Sequence, residues 1–204
     1  MRKHYLLFLV LFIIWIGGCA NVPLTHYYAF QPDFETKTAT APPKYDRIIA
    51  VDVFEADIPY QQDKIVFRTS PYEISFYEYH KWLRPLGELL AEQTLKVMAS
   101  AAMFPQVQPY VPELTSDYIL RARIKMFDHW YSAQQSFVQV VIQYQLTTTK
   151  DERPIWRERI ATTAQITNLQ VIEIVKGFET AVHDNILQAL TAMDGVLSRQ
   201  LSHE

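Results

Sequence analysis

The chain has one cysteine. Cys19 follows Arg2, Lys3 and an apolar run from Tyr5 to Ile16, and it closes the tetrapeptide Ile16-Gly17-Gly18-Cys19. A charged start, a short apolar core and a small-residue cleavage site make a secretory signal. With the thiol at the cut itself, the chemistry on offer is attachment of a lipid, as in bacterial lipoproteins. The apolar run falls short of the roughly 20 residues that a spanning helix needs. An ordinary cleaved signal has no need of a cysteine after two glycines. The expected layout is a signal over 1–18, a lipidated tether over 19–26 and a single domain over 27–204. The expected cofactor set is empty apart from the covalent lipid on Cys19.

Other residues are weaker candidates for chemistry. His80 beside Trp82 titrates near neutrality, but no second histidine stands at a metal-ligand spacing. It reads as a strand residue flanking a packed Trp, and no metal site is expected. Asp128-His129 offers two parts of a triad, yet no Gly-x-Ser-x-Gly elbow is present, and the pair reads as a strand end. Glu73, Glu78, Glu88 and Glu92 are possible acid/base carboxylates. Glu88 and Glu92 stand four apart on an exposed helix face, as ordinary surface residues do. Gly87, Gly177 and Gly195 are the glycines outside the signal, and they are too scattered to cradle a phosphate. No constellation for catalysis is recognisable, so an enzyme is not expected.

Without the signal the chain has 186 residues, 17 basic and 22 acidic. That is enough for one ordinary core. A net charge of −5 gives no basic footprint for nucleic acid. With no second cysteine, no intrachain disulfide can form.

Several elements must position these residues. His26 to Phe30 is aromatic and strand-like, and the following stretch to Lys44 is polar and Pro-rich. If the fold begins at Tyr27, the tether from Cys19 is about seven residues, at most ~25 Å long. Arg47 to Phe54, "KIVFRTS" and "YEISFYEYHKW" read as strands. Leu83 to Met103 has helical spacing, with Pro85 in its first turn and Glu92–Lys96 as an i,i+4 pair. In "YILRARIKM", Tyr118, Leu120, Ala122, Ile124 and Met126 share one face, and Arg121, Arg123 and Lys125 the other. "FVQVVIQYQLTT" and "PIWRERIATTAQI" alternate likewise, and "KDERP" joins them as a hairpin turn. Thr167 with Gln170 resembles a capping box. It precedes a long apolar stripe from Val171 to Leu197, which Gly177 can divide into two helices.

The expected fold class is α+β: a mainly antiparallel twisted sheet with two amphipathic helices packed on one face. The other face carries Arg121, Arg123, Lys125, Gln139, Gln143, Arg157 and Arg159. That basic stripe is either solvated or, in a ring, meets a neighbour's acidic residues. The aromatic ribbon of Tyr72, Phe76, Tyr77, Tyr79 and Trp82 either packs under the first helix or lines a partner surface, since Tyr and Trp favour interface hot spots.

The lipobox, "YYAF", a strand, and then "IPYQQDKIVFRTSPYEISFYEYHKWLRPLGELL" together resemble the auxiliary lipoproteins of ABC-type intermembrane lipid transport, the paraquat-inducible C family. The shared pattern is a Tyr-Tyr strand near the anchor, Pro59 before a strand ending in Arg68, and a Tyr-rich strand leading into Trp82 and Pro85. It covers nearly all the mature chain and is strongest from Pro59 to Leu95. One departure is Gln61-Gln62-Asp63, where members often carry Leu-Asp-Arg. The resemblance implies a domain anchored to the outer membrane on its periplasmic face, and Ala20 after the cysteine agrees with export there. It implies partnership with an MCE-domain protein, a permease and an ATPase that move phospholipid between membranes, and it makes a homo-oligomeric ring plausible. The function expected is a non-enzymatic accessory lipoprotein that docks or aligns the transport complex. The alternative is a periplasmic lipid-binding carrier, whose helices open around an acyl chain.

Overall fold

The computed structural model describes residues 23–30 and 42–201. The signal over 1–18, Cys19, the first part of the tether and most of the polar loop after Phe30 lie outside the described residues. In chain order the elements are β1 (His26–Tyr28), β2 (Ile48–Val51), β3 (Glu55–Ala56), β4 (Lys64–Arg68), β5 (Ser75–Trp82), α1 (Leu86–Ser100), β6 (Gln106–Pro109), β7 (Tyr118–Tyr131), β8 (Ser136–Thr148), β9 (Pro154–Gln165) and α2 (Val171–Leu201). Among the described residues, the nine strands form one mixed sheet. Two helices complete an α+β fold. No described helix is long and apolar enough to cross a membrane.

β7 is the axis of the sheet. One side of it pairs along its length with β8, which pairs in turn with β9, both antiparallel. This is the meander that the alternating sequence requires. The other side of β7 is shared by three short strands, all parallel to it. β2 takes Tyr118 to Leu120, β3 takes Arg123 and Ile124, and β4 takes Asp128 to Trp130. β6 extends the sheet beyond β2, while β5 and then β1 extend it beyond β4. Strands β3 and β6 are too short to show a period in sequence.

A β-bulge between Ile124 and Met126 changes the expected faces. An extra residue on one strand reverses the parity of every side chain after it. Phe127, not Met126, therefore enters the core. Its ring stacks on Phe178 of α2 at 4.3 Å, and Trp82 meets both rings edge-on at 5.7 Å. A buried polar clamp fixes α2 further along. Tyr144 donates its hydroxyl to Asn185 Oδ1 at 3.0 Å, and Asn185 donates to the Ile160 carbonyl at 3.1 Å.

The helices also correct details of the reading. α1 begins at Leu86, not Leu83, because Pro85 holds extended backbone (φ −48°, ψ 133°). Its carbonyl accepts the first helical bonds from Glu88 and Leu89. α2 runs unbroken through Gly177. No capping box forms at Thr167. Instead the Gln170 carbonyl accepts from Glu173 and Ile174, and Asn168 Oδ1 accepts from the Gln170 amide. Gly87 marks where α1 touches the sheet: a Cβ there would lie 2.0 Å from the Phe54 carbonyl oxygen.

Candidate functional site

The edge that leads back toward Cys19 carries a seam of tyrosine and histidine rings. β1 lies parallel to the end of β5, with His26 opposite His80 and Tyr28 opposite Trp82. The His26 and His80 rings stack at 5.4 Å, and the Tyr28 hydroxyl bonds His80 Nδ1 at 2.9 Å. A register shift between β4 and β5 brings Tyr77 and His80 to the same side, and their rings meet at 6.0 Å. The Tyr77 hydroxyl then bonds His129 Nδ1 at 2.9 Å, and His129 Nε2 bonds Ser136 Oγ at 2.8 Å. Tyr131 stacks on His129, and Phe67 packs against both Tyr77 and Tyr131.

Burial sets the chemistry of this seam. It lowers the His129 pKa to about 4 and raises that of Tyr77 to about 12. Burial, and then the charge of His26, also lowers His80. At neutral pH the imidazole of His129 is uncharged and weakly basic. The Ser136–His129 contact lacks a carboxylate behind it, because a phenol stands in that place. The chain is thus a hydrogen-bonded relay that satisfies buried polar groups, not an activated nucleophile.

Asp128 cannot supply the missing carboxylate, since neighbours on a strand point to opposite faces. On its own face it accepts from the Tyr60 hydroxyl at 2.8 Å and from Arg68 Nε at 2.5 Å. Burial raises its carboxyl pKa, and the bonds from Tyr60 and Arg68 act against that rise. Both residues lie near the end of β7, three and two positions before its last residue.

The five residues of the expected ribbon separate. Tyr72 stands on the β4–β5 turn and is 97% exposed. Tyr79 is exposed on β5, and Phe76 is half-buried against the core. Tyr77 is half-buried within the relay. Trp82 is 2% exposed and belongs to the core with Phe30, Phe127 and Phe178. It offers no surface to a partner, which corrects its place in the ribbon. Cys19 lies outside the described residues. His26, Tyr28, His129 and Ser136 were missed as members of one cluster, because only the parallel register of β1 on β5 and of β4 on β7 brings them together. Glu92 is an ion-pair residue, held by Arg84 and by Lys96 at 2.6 Å. Glu78 bonds Lys64 at 2.9 Å.

Part of the basic stripe is matched within the chain. Arg121 pairs with Asp52, Arg123 with Glu55 and Asp57, and Lys125 with Asp57 at 2.6 Å. Arg157 donates to Gln145 on the neighbouring strand. The loop that departs from the family pattern is also tied down: Asp63 pairs with Lys81 at 2.9 Å, and Gln61 donates to the Ala56 carbonyl. Among the described residues no three His, Cys, Asp or Glu side chains gather as a metal site would require. The space between the two helices, lined by Phe30, Gln93, Val97, Val182 and Ile186, is too narrow to hold a water molecule.

Comparison with known proteins adds the family. The model of the ABC-type transport auxiliary lipoprotein component family matches residues 28–188. The solved structure of protein XCC0632 from Xanthomonas campestris, of family DUF330, is similar in fold. It is 16% identical, with 88% of this chain and 100% of that chain covered at a TM-score of 0.70. A second structure, of an uncharacterised protein, is 13% identical, covering 84% and 99% at a TM-score of 0.67. A hypothetical protein of Chlamydia trachomatis is 8% identical, covering 74% and 98% at 0.51. No curated protein matches the chain.

Proposed function

The chain belongs to the ABC-type transport auxiliary lipoprotein component family, and from that premise we propose that it is a non-enzymatic accessory of an MCE-type system moving phospholipid between membranes. Lipid on Cys19 holds the domain on the periplasmic face of the outer membrane. One acyl chain binds reversibly, and several give lasting attachment. The folded domain docks and aligns the transport conduit at that membrane, with an MCE-domain protein as its direct partner.

The observation that carries this reading is the pairing of β1 on β5. The strand nearest the anchor is laid against the aromatic strand, so the anchor fixes where Tyr79 and its neighbours stand. The carrier alternative has less support. Aromatic rings fill the space between sheet and helices, and the gap between α1 and α2 is too narrow for a water molecule, whereas ligand pockets hold roughly 300–1,000 Å³. Self-association into a ring belongs to the same proposal. β9 pairs only with β8 among the described residues, and a free edge of twelve residues is a template for another strand.

The docking surface is tested by substitution. Any change at Tyr77 that removes its hydroxyl would break the bond to His129, so the informative variant is Tyr79→Ala alone. Loss of an exposed aromatic hot spot costs about 2 kcal/mol, which predicts a roughly 30-fold weaker capture of the MCE-domain protein with an unchanged circular dichroism spectrum. Undiminished capture by the folded variant removes this surface from the account.

A further inference from the structure

Three connections meet at one end of the sheet. The β4–β5 turn (69–74) follows Arg68, which lies opposite Trp130 near the end of β7. The β7–β8 hairpin (132–135) is closed by Tyr131 opposite Ser136. The β9–α2 connection (166–170) begins where the Ile166 amide donates to the Ser136 carbonyl at 2.8 Å. Their only charged residue is Glu73. They and the adjoining residues expose Tyr72, Ile74, Tyr131, Leu169 and, in the first turn of α2, Ile172. The opposite end is different. The connections 111–117 and 149–153 carry Glu113, Asp117, Lys150, Asp151, Glu152 and Arg153. The molecule therefore has one sparsely charged, aromatic and aliphatic tip, with Glu73 and, in the first turn of α2, Glu173 as its charges, and one densely charged tip.

The direction of β1 connects the sparsely charged tip to the anchor. β1 runs parallel to β5, and β5 starts at that tip. The chain that precedes His26 thus approaches from the tip side. Six residues separate Cys19 from His26, a reach of at most ~25 Å. The tip end of β5 is five residues before His80, about 17 Å away. The length of chain outside the structure is sufficient to set the lipid at this tip.

We propose that the tip built from 69–74, 132–135, 166–170 and the first turn of α2 rests in the interface of the bilayer that carries the Cys19 lipid. Tyrosine favours the headgroup level, with its ring in apolar surroundings and its hydroxyl in water. Exposed Leu and Ile beside it add apolar area, and with Glu73 and Glu173 as its two charges the tip keeps the desolvation cost of approach small. Tyr72 then contacts lipid rather than a protein partner, while Tyr79 on β5 stays available to the transport complex. This inference rests on the lipid anchor of the preceding section and adds an orientation to it.

Site-directed labelling separates the two. Lipidation consumes the Cys19 thiol, so a single introduced cysteine is the one reactive site. Tyr72→Cys and Leu169→Cys report on the proposed contact, and Leu114→Cys and Lys150→Cys on the far end. Each lipidated full-length variant carries an environment-sensitive fluorophore. It is bound to phosphatidylethanolamine–phosphatidylglycerol vesicles with or without a nitroxide-bearing phospholipid. With the tip seated roughly 5–10 Å into the boundary, quenching at positions 72 and 169 should exceed that at 114 and 150 about threefold. Equal quenching at both ends, in protein that floats with the vesicles, overturns the tip contact and leaves the anchor standing. So does protection of the tip labels only after an MCE-domain protein is added. Protein that does not float at all removes the anchor, and the proposal with it.

Discussion

His129 shows how one buried side chain links the anchored edge to the axis of the sheet. Its two ring nitrogens bond Tyr77 and Ser136, and burial holds its pKa near 4 in the fold. An unfolded chain titrates this group near 6.5 and so binds more protons than the native state between those values. Stability from His129 is therefore fully present above about pH 6.5 and is lost as pH falls toward 4. The loss amounts to at most about 3 kcal/mol. Melting temperature should drop steeply from pH 7 to pH 4.5, and His129→Gln should flatten that slope. An unchanged slope in the variant would place the acid sensitivity elsewhere. Asp128, on the other face, illustrates a second limit of reading by neighbour. Side by side in sequence, Asp128 and His129 suggest a shared task, yet the strand separates them completely.

At the scale of elements, Gly87 is the tightest contact between helix and sheet. A methyl group there would sit 2.0 Å from the Phe54 carbonyl oxygen, and backbone cannot step aside cheaply. The corresponding clash at Gly177 is with the Cδ1 end of the Ile166 side chain at 2.3 Å, which can rotate. Gly87→Ala should cost about 2–3 kcal/mol. Gly177→Ala should cost less, since alanine regains up to about 1 kcal/mol in a helix. Urea midpoints of the two variants test this, and equal losses would contradict it. The long elements were legible because they give a period room to show: β7, β8 and β9 run for twelve residues or more, and α2 for thirty-one. β3 and β6 were not legible, having two and four residues. Nor was the bulge before Met126, which depends on its partner strand. The candidate site was legible in its tyrosines but not in its histidines. His26, His80 and His129 are spread over a hundred residues, and only parallel pairing gathers them.

The whole molecule is a filled sheet-and-helix domain with different ends. Its core of Trp82, Phe127, Tyr144 and Phe178 is closed, so its work falls to its surfaces and to where they are held. The strand next to the tether and the exposed Tyr79 share one edge, the sparsely charged tip closes one end of it, and the densely charged loops lie at the far end. This arrangement suits a part that stands on a membrane and presents one edge to a larger assembly. The most direct test is chemical crosslinking in native membranes, followed by affinity purification of the full-length chain and mass identification of what accompanies it. The account predicts an MCE-domain protein together with its permease and ATPase. It also predicts that Cys19→Ala releases the chain from salt-washed membranes and loses this company. Recovery of the lipidated chain without any of these components, or their undiminished capture by a Cys19→Ala chain free in solution, would contradict it.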